Sequence, residues 1–497
     1  MPVSASYRPV PRWLELGPGF QDAVEPARFP ERGLRFRNQR WAERVGLGTL
    51  DDEEWERHFA LFEPLPDNLR EPLALRYHGH QFRTYNPALG DGRGFLFAQL
   101  LDPLDGRLLD LGTKGSGRTP WSRDGDGRLT LKGGVREILA TEMLEALGVY
   151  TSKTFSLFET GEQLHRGDEP SPTRSSVLVR LSHSHVRFGS YQRLAVLGET
   201  EKLRRLFDAT VEWHFPELAA ERGGDAAGGT VERFLRAVSE RSAELCASWM
   251  AAGFVHGVLN TDNMNVTGES FDYGPYRFLP TFDLAFTAAY FDHGGLYAYG
   301  RQPQSVLWNL QRLAEALGEL APLEVLLRAL ADFGPDFHAR WRECTLGRLG
   351  LVPHGDERDA ELMSLLRAFL EESRVGYDQL FFDWYGGAAS AARAAASPEA
   401  EKYAAPAFAP LRAALEAYEP DPAAVERLAS PYFQGRRPCT LLIDEIEHIW
   451  AAIAERNDWS PLERKIADIR DMGALLASDS RRAAVTRNAP SRPGTAG

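Results

Sequence analysis

The spacing of apolar residues changes near residue 195 of the chain. Between Leu73 and about Arg187, short apolar runs alternate with glycine-containing turns, which is typical of β-strands. Beyond about residue 195, apolar residues recur every three or four positions, as they do on the buried face of a helix. The pattern predicts an α+β fold class, with a β-rich lobe followed by a larger helical lobe.

The β-rich stretch is expected to contain a hairpin and one helix. Residues 95–101 and 107–111 are apolar runs on either side of Asp105-Gly106, a dipeptide that favours a tight turn. Residues 134–147 place their apolar side chains at helical spacing, and this predicts a helix. Strand character returns at residues 155–158 and 177–181.

The helical stretch contains two segments of different character. Helices are predicted at residues 201–211, 231–251 and 306–333. Residues 253–279 form a strand-and-loop segment rich in Asn and Asp. Residues 386–410 are dominated by alanine and proline, which indicates a linker or a poorly packed helix end.

These patterns divide the chain into four parts. Residues 1–70 are expected to be an irregular N-terminal extension with one or two helices, and residues 71–192 the β-rich lobe. Residues 193–478 are expected to form the helical lobe, and residues 479–497 a disordered tail of small polar and basic residues.

Composition narrows the class of protein. Lys and Arg total 57 against 70 Asp and Glu, a formal charge of −13, which disfavours binding of nucleic acid through a broad basic surface. No apolar run approaches the roughly 20 residues needed to span a bilayer, and the first 20 residues lack the apolar centre of a secretory signal. A cytoplasmic enzyme with neither a membrane nor a nucleic-acid partner is the expectation.

A glycine turn, a lysine and a glutamate follow one another along the chain in an order that suits phosphate binding. Gly90 and Gly92 lie in a glycine-dense turn that leads into a strand, where backbone N–H groups can approach phosphate oxygens. Lys114 ends the next strand, and Glu137 lies near the start of the following helix. A helix carboxylate that faces a strand lysine fixes the lysine for phosphate binding, so the three features together are more specific than any one alone.

The stretch from His256 to Asn263 has the spacing of a protein-kinase catalytic loop. Asp272-Tyr-Gly follows it, as Asp-Phe-Gly follows that loop in kinases. Asn263 and Asp272 are therefore candidate ligands for Mg²⁺ or Mn²⁺ on nucleotide phosphates. Val258 stands where a kinase has its catalytic aspartate, and valine cannot accept a proton.

Two arginines near this stretch could bind phosphate. Arg180 and Arg187 lie seven residues apart, and together they could clamp phosphate oxygens, although surface arginine is the ordinary interpretation. Asp126-Gly127 lies in a glycine-rich loop, where a turn is the simpler role.

Several blocks together resemble the selenoprotein O family, also called YdiU, over roughly residues 70–315. The blocks are Gly79-His-Gln-Phe82, Asn86-Pro-x-Leu-Gly-Asp-Gly-Arg93, Leu111-Gly-Thr-Lys-Gly-Ser-Gly117, Arg136-Glu137, His256-Gly-Val-Leu-Asn-Thr-Asp-Asn-Met264, Asp272-Tyr-Gly-Pro275, Gln302-Pro303 and Trp308-Asn-Leu-Gln-Arg-Leu313. The resemblance implies a protein-kinase-like two-lobed fold that transfers AMP, because ATP binds in a flipped orientation. The chain departs from the family where no cysteine follows Cys439, so a C-terminal Cys-x-x-Cys motif is absent.

The resemblance also implies roles for individual residues. Asp262 would accept the proton of the acceptor hydroxyl, Glu137 would position Lys114, and Asn263 and Asp272 would hold the metal. The residues implied to bind the nucleotide are Gly90, Gly92, Arg93, Lys114, Asp126, Gly127, Arg180, Arg187 and Asp272.

The expected activity is protein adenylylation, with ATP as substrate, Mg²⁺ or Mn²⁺ as cofactor, and Ser, Thr or Tyr hydroxyls of proteins as acceptors. Transfer of UMP from UTP with Mn²⁺ stays open, because base recognition lies outside the phosphate-binding residues. A kinase with an unconventional base is disfavoured by Val258. A pseudokinase that binds nucleotide as a scaffold is the alternative from another class.

Overall fold

The computed structural model describes residues 3–167, 169–220 and 227–477. The predicted disordered tail, residues 479–497, lies outside the described residues. The fold is a mixture of α and β, with an antiparallel sheet and a large helical part. No helix within the described ranges is both long and apolar enough to cross a membrane.

The strands lie mainly in the first part of the chain. They are β1 (Gln21–Ala23), β2 (Gly33–Arg37), β3 (Leu73–Leu75), β4 (Gly79–Gln81), β5 (Thr84–Asn86), β6 (Leu96–Leu101), β7 (Leu108–Lys114), β8 (Leu129–Thr130), β9 (Lys153–Leu164), β10 (Thr173–Ser182), β11 (Phe254–Val255) and β12 (Arg277–Phe278). The main sheet has the order β1-β3-β6-β7-β10-β9-β2, and β8 pairs with β10 outside this path. Two small ribbons, β4–β5 and β11–β12, stand apart from it.

The predicted hairpin is confirmed as β6 and β7. Leu101 pairs with Leu108 next to the turn, and Gly106 has a φ of +74°, a conformation that glycine adopts without strain. Residues of both strands are buried on both faces, because the sheet is covered on each side.

The segment before residue 70 contributes to the main sheet. The predicted helices exist there as α1 (Gln39–Arg44) and α2 (Asp52–Phe59). Two strands were not predicted: β1 pairs with β3, and β2 pairs with β9. Both are short and lack alternation of buried and exposed residues, so the sequence carries no period-two signal for them.

The helix predicted at residues 134–147 is α3 (Leu131–Ala146). It begins one turn earlier than expected because the Thr130 side chain caps it by accepting a hydrogen bond from the Gly133 N–H (3.1 Å). The helix crosses the sheet closely: a Cβ at Gly134 would lie 2.5 Å from a methyl carbon of Leu157. This close contact fixes the N-terminal half of α3 on β9.

Most of the remaining chain is helical. The helices are α4 (Phe188–Val196), α5 (Thr200–His214), α6 (Pro216–Ala220), α7 (Ala227–Ala251), α8 (Gln302–Ala316), α9 (Leu323–Ala329), α10 (Phe333–Leu349), α11 (Asp356–Ser373), α12 (Tyr377–Asp383), α13 (Ala391–Ala395), α14 (Ala400–Ala404), α15 (Ala409–Glu416), α16 (Pro422–Arg427), α17 (Pro431–Gln434), α18 (Ile443–Arg456) and α19 (Ser460–Leu476). Short 3₁₀ turns are Arg12–Leu16, Thr261–Asn263, Tyr299–Arg301, Gly387–Ser390 and Pro406–Phe408.

Two predictions for the helical part are wrong. Residues 306–333 are not one helix, because α8 ends at Ala316 and α9 begins only after Pro322, a residue that disfavours continuation of the preceding helix. Residues 386–410 are not a linker or a poorly packed helix end. Tyr403 and Phe408 are buried there, and the Tyr403 hydroxyl donates to Asp383 Oδ2 (2.8 Å).

A separate aromatic core joins α2 to the sheet. Trp55 is fully buried, its ring centroid lies 4.4 Å from that of Phe59 and 5.2 Å from that of Phe155, and its indole N–H donates to Ser156 Oγ (2.9 Å). The N-terminal segment is therefore part of the packed structure.

We expect Trp55→Ala to lower the free energy of unfolding by about 3–5 kcal/mol, because it removes a large buried side chain from a core that cannot fully collapse. Leu61→Ala, two residues beyond α2 at a position that is 41% exposed, is the matched control and should change it by less than about 0.5 kcal/mol. Urea unfolding of both variants measures the difference, and equal effects would contradict the packed role of residues 1–70.

Candidate active site

A cleft of about 680 Å³ opens where the glycine turn, the end of β7, β10 and the 262–272 segment meet. Among the described residues that line it, seven are Lys or Arg and five are Asp. The whole chain carries a charge of −13, so this surplus of cations is local. A cleft with this charge attracts anions.

Ten of the twelve residues singled out from the sequence line this cleft. They are Gly90, Gly92, Arg93, Lys114, Asp126, Gly127, Arg180, Arg187, Asp262 and Asp272. The other two are neighbours of lining residues. Glu137 accepts a hydrogen bond from Lys114, and Asn263 follows Asp262 in the same 3₁₀ turn. Residues up to 182 positions apart in the sequence, from Gly90 to Asp272, thus meet in one place.

Lys114 is held between two carboxylates. Its Nζ donates to Glu137 Oε1 and to Asp272 Oδ1, each at 2.5 Å. Lys114 and Glu137 are both buried, so their charges are stable only as a pair. This contact joins β7, α3 and the segment that begins at Asp272.

Asp272 is ionised and unusually placed. Burial alone would raise the pKa of its carboxyl, but the positive charges of Lys114, Arg180 and Arg187 hold the pKa well below its ordinary value. Its φ of +65° is a left-handed conformation that a non-glycine residue seldom adopts, and such strain is typical of functional sites.

Arg136 fixes the backbone that follows Asp272. Its guanidinium donates to the carbonyl oxygens of Gly274 (3.3 Å) and Tyr276 (2.9 Å), and it lies 4.6 Å from the centre of the Tyr276 ring. Tyr276 returns a hydrogen bond from its hydroxyl to the Arg136 carbonyl oxygen (2.9 Å). Helix α3 therefore holds this segment through Arg136 as well as through Glu137.

Arg180 and Arg187 are buried at the cleft and keep unused donors. Arg180 Nε and Nη1 and Arg187 Nε have no hydrogen-bond partner among the described atoms. Arg187 lies against the rings of Tyr77 (4.5 Å) and Phe271 (4.8 Å) and donates to the Asp262 carbonyl oxygen (2.6 Å). Buried guanidinium groups with unsatisfied N–H groups are costly unless a ligand completes them, and phosphate oxygens match their geometry.

Asp262 is a candidate general base. Its side chain is buried, and its Oδ1 has no partner within the described residues. Burial raises the pKa of the Asp262 carboxyl to about 6, although Arg187 lowers it in part. The group is thus mainly deprotonated at neutral pH and can still accept a proton.

The loop that carries Asp262 is held by residues that sequence reasoning missed. The His80 backbone N–H donates to Thr261 Oγ1 (2.7 Å), and Thr261 Oγ1 donates to Gln192 Oε1 (2.7 Å). The Phe82 backbone N–H donates to Asn260 Oδ1 (3.1 Å). A Cβ at Gly79 would lie 3.1 Å from Asp262 Oδ1. The resemblance block that spans residues 79–82 is the signal that could have placed the β4–β5 ribbon here.

The glycine turn packs tightly against its own surroundings. A Cβ at Gly90 would lie 2.5 Å from the Trp121 ring, and one at Gly94 would lie 2.1 Å from the Thr113 carbonyl oxygen. Ser122 Oγ donates to the Gly92 carbonyl oxygen (2.5 Å). Close packing alone thus requires glycine at positions 90 and 94.

Asp126 and Gly127 lie at the other end of the cleft. The Asp126 carboxylate accepts hydrogen bonds from Arg166 (2.8 and 3.0 Å) and from the Arg128 backbone N–H (2.9 Å). Gly127 has a φ of +69°, and a Cβ there would lie 2.2 Å from the Gly117 carbonyl oxygen. The chain bends at Gly127, and turn residues precede it at Arg123 and Asp124.

The oxygen donors of Asp272 and Asn263 suit a cation that is bound together with phosphate. No three His, Cys, Asp or Glu side chains gather as a metal-binding group in the part of the chain that the structure describes. Asp272 offers an ionised carboxylate, and Asn263 offers an amide oxygen while its Nδ2 donates to the Val258 carbonyl oxygen (2.9 Å). Magnesium at nucleotide sites is held by one or two protein oxygens together with phosphates and water. These residues therefore fit Mg²⁺ or Mn²⁺ carried by a nucleotide.

Comparisons with known proteins give consistent results. A family model described as "Protein adenylyltransferase SelO" matches residues 3–470. A protein nucleotidyltransferase YdiU of Synechocystis sp. is 50% identical over 368 residues, which are 73% of this chain and 75% of that relative. The relative of the same name from Gloeobacter violaceus is 44% identical over 480 residues, 94% of this chain and 95% of its own. The one from Vibrio cholerae is 36% identical over 366 residues, 74% and 72% of the two chains.

We expect Lys114→Met to lower the free energy of unfolding by about 3–5 kcal/mol, because it leaves the buried Glu137 carboxylate without its partner. The double variant Lys114→Met/Glu137→Gln should recover part of that loss, since the unpaired charge is gone. Urea unfolding of wild type and of both variants measures this coupling. A double variant no more stable than Lys114→Met would show that the pair does not carry the energy.

Proposed function

The chain belongs to the SelO family and is a protein nucleotidyltransferase, and from that premise we propose that it transfers AMP from ATP to protein hydroxyl groups. The acceptors are Ser, Thr or Tyr side chains, pyrophosphate leaves, and Mg²⁺ or Mn²⁺ is the cofactor. The matching family model describes a protein adenylyltransferase, which supports AMP as the group transferred.

The proposed architecture is that of a protein kinase, with the cleft between a smaller lobe (71–192) and a larger helical lobe (193–478). The order of the parts supports it: a glycine turn, a strand lysine paired with a helix glutamate, then the His256 loop and Asp272. The His256 ring lies within hydrogen-bond distance of the Phe271 carbonyl oxygen (Nε2 to O, 3.2 Å), which ties the two loops together.

The observation that carries the proposal is the pair of buried arginines with unsatisfied N–H groups. Arg180 and Arg187 add two cations to Lys114 at one end of the cleft. Lys114 is paired with Glu137 and Asp272, and Arg187 Nη2 lies 3.6 Å from Asp91 Oδ1. Both arginines nevertheless keep N–H groups that can donate to the oxygens of a triphosphate. If the β- and γ-phosphates occupy this end, the α-phosphate faces the acceptor.

The proposed reaction follows from that orientation. The acceptor oxygen forms a bond to the α-phosphorus, and the bond from that phosphorus to the bridging oxygen of pyrophosphate breaks. Asp262 accepts the hydroxyl proton, and its raised pKa of about 6 suits this task near neutral pH. Lys114, positioned by Glu137, together with Arg180 and Arg187 stabilises the charge that develops on the leaving group.

The remaining cleft residues have supporting roles in this proposal. Asn263 and Asp272 hold the cation, which neutralises phosphate charge when bound. Gly90 and Gly92 let the backbone approach the nucleotide, and the exposed Arg93 adds charge at the cleft mouth. Asp126 and Gly127 form the far wall, where the Asp126 carboxylate accepts from Arg166 and from the Arg128 backbone N–H.

We expect label from ATP marked on the α-phosphate to appear on protein, and none from ATP marked on the γ-phosphate. The measurement incubates the purified protein with Mg²⁺ or Mn²⁺ and each labelled ATP, with α-labelled UTP as a parallel arm. Label from γ-ATP alone would make the protein a kinase. Label from UTP alone would make it a uridylyltransferase, and the absence of label in every arm would favour a nucleotide-binding scaffold.

We expect Asp272→Ala to reduce transfer by at least about 100-fold, because it removes a cation ligand and the partner of Lys114. Asp124→Ala is the matched control, since Asp124 also lines the cleft but is exposed, and it should retain most of the activity. Initial rates with α-labelled ATP over a range of Mg²⁺ concentrations measure both. Transfer by Asp272→Ala at the wild-type rate would contradict the metal assignment.

A further inference from the structure

Helix α19, the last helix of the described chain, packs against α3, the helix that carries Glu137. Arg470 of α19 makes a bidentate ion pair with Glu142 of α3, with Nε–Oε2 and Nη2–Oε1 distances of 2.8 and 2.7 Å. The Glu142 side chain is only 3% exposed, and Arg470 is its nearer cation, since Arg40 Nη2 lies 4.0 Å from Glu142 Oε2. Glu142 lies about 1.4 turns after Glu137, about 7.5 Å farther along the same helix.

The two helices also meet without intervening side chains. A Cβ at Gly473 would lie 2.9 Å from both Cα and Cβ of Ala146, at the C-terminal end of α3. A contact this short leaves no room for a larger residue, so glycine at position 473 sets the separation of the two helices.

The helix pair α18–α19 is itself anchored to other elements. Lys132, in the first turn of α3, pairs with Glu447 of α18 (2.7 Å). Arg174 of β10 donates to the Ile453 carbonyl oxygen (3.0 Å) and to Asn457 Oδ1 (2.8 Å). The pair therefore contacts α3 near both ends and is tied to the sheet that carries Lys114.

We propose that α19 acts as a clamp on α3 and sets the rate of transfer through the Glu137–Lys114 pair, with Arg470 and Gly473 as positioning residues. The inference rests on the proposed function for its rate measurement. Glu137 holds Lys114 at 2.5 Å, a distance that a small shift of α3 would lengthen. A misplacement of about 1 Å at a catalytic group costs on the order of 100-fold in rate.

The first test increases the separation between α3 and α19. Gly473→Val places its side chain against Ala146, and we expect kcat to fall at least tenfold while KM for ATP changes less than twofold. Ala474→Val is the matched control, because Ala474 is the exposed neighbour on the same helix, and it should leave kcat unchanged. Equal kcat values for the two variants would overturn the clamp.

The second test removes the ion pair. Arg470→Ala should lower kcat, whereas Arg470→Lys, which keeps the charge, should retain part of the activity. Arg464→Ala is the control, since Arg464 is exposed on α19 and contacts Ser460 Oγ of the same helix (3.0 Å). A loss in Arg464→Ala as large as that in Arg470→Ala would show a general effect of α19 and overturn the assignment of Arg470.

A double variant tests whether Gly473 acts on the rate through Glu137 or only stabilises the fold. If Gly473 acts through Glu137, the residual rate of Glu137→Gln should not fall further when Gly473→Val is added. Independent losses that multiply would show that α19 does not act through the Glu137–Lys114 pair and would overturn the proposal.

Hydrogen exchange separates this inference from the proposed function. We expect amides of residues 131–146 to exchange faster in Gly473→Val than in Ala474→Val, whether or not the protein transfers AMP. Unchanged exchange in Gly473→Val would overturn the clamp even in an active enzyme. Absence of transfer by the wild-type protein with faster exchange in Gly473→Val would refute the proposed function and, with it, the effect of the clamp on rate, while the packing of α19 on α3 would be upheld.

Discussion

A single lysine between two carboxylates joins three segments that lie far apart in the chain. Lys114 ends strand β7, Glu137 belongs to helix α3, and Asp272 begins the segment that closes the floor of the cleft. Because Lys114 and Glu137 are buried, separating them would leave charge without a partner, at a cost of several kcal/mol. The sheet, the helix and the loop are therefore held in one arrangement, and the shape of the cleft follows from it. In the proposed clamp, α19 affects the same arrangement indirectly, because Arg470 of α19 contacts Glu142 on the helix that carries Glu137.

The balance of charge around this cluster explains why the cleft is suited to an anion. Asp272 faces the charges of Lys114, Arg180 and Arg187, and these cations hold the pKa of its carboxyl well below the ordinary value. The arginines are stabilised in part by the rings of Tyr77 and Phe271, which accept the face of a guanidinium without neutralising it. Arg180 Nε and Nη1 and Arg187 Nε are buried without a hydrogen-bond partner among the described atoms. This state costs free energy, and a bound phosphate that accepts from these groups would recover it.

Much of the fold could be predicted where the signal is local. The Asp105-Gly106 turn predicted the β6–β7 hairpin, and the apolar period predicted α3 to within three residues at its start. Ten of the twelve candidate residues proved to line one cleft, because their motifs are short and ordered along the chain. The strands β1 and β2 could not be predicted, since each is short and depends on a partner strand about 50 or more residues away. The contact of Gly473 with Ala146 is equally invisible, because it joins residues that are 327 positions apart.

The glycine turn shows why a motif alone does not determine function. Gly90 and Gly94 are required by the Trp121 ring and by the Thr113 carbonyl oxygen, whether or not a nucleotide binds. The same glycine pattern is therefore expected of a phosphate-binding turn and of a turn that is merely tightly packed. Its presence does not distinguish these two interpretations. Buried polar atoms without a hydrogen-bond partner are a second kind of observation, because each costs free energy unless a ligand completes it. Such atoms also occur away from the cleft, for example in Trp13 and Ser239. What distinguishes the cleft is that three charged side chains, those of Arg180, Arg187 and Asp262, each have such an atom beside it.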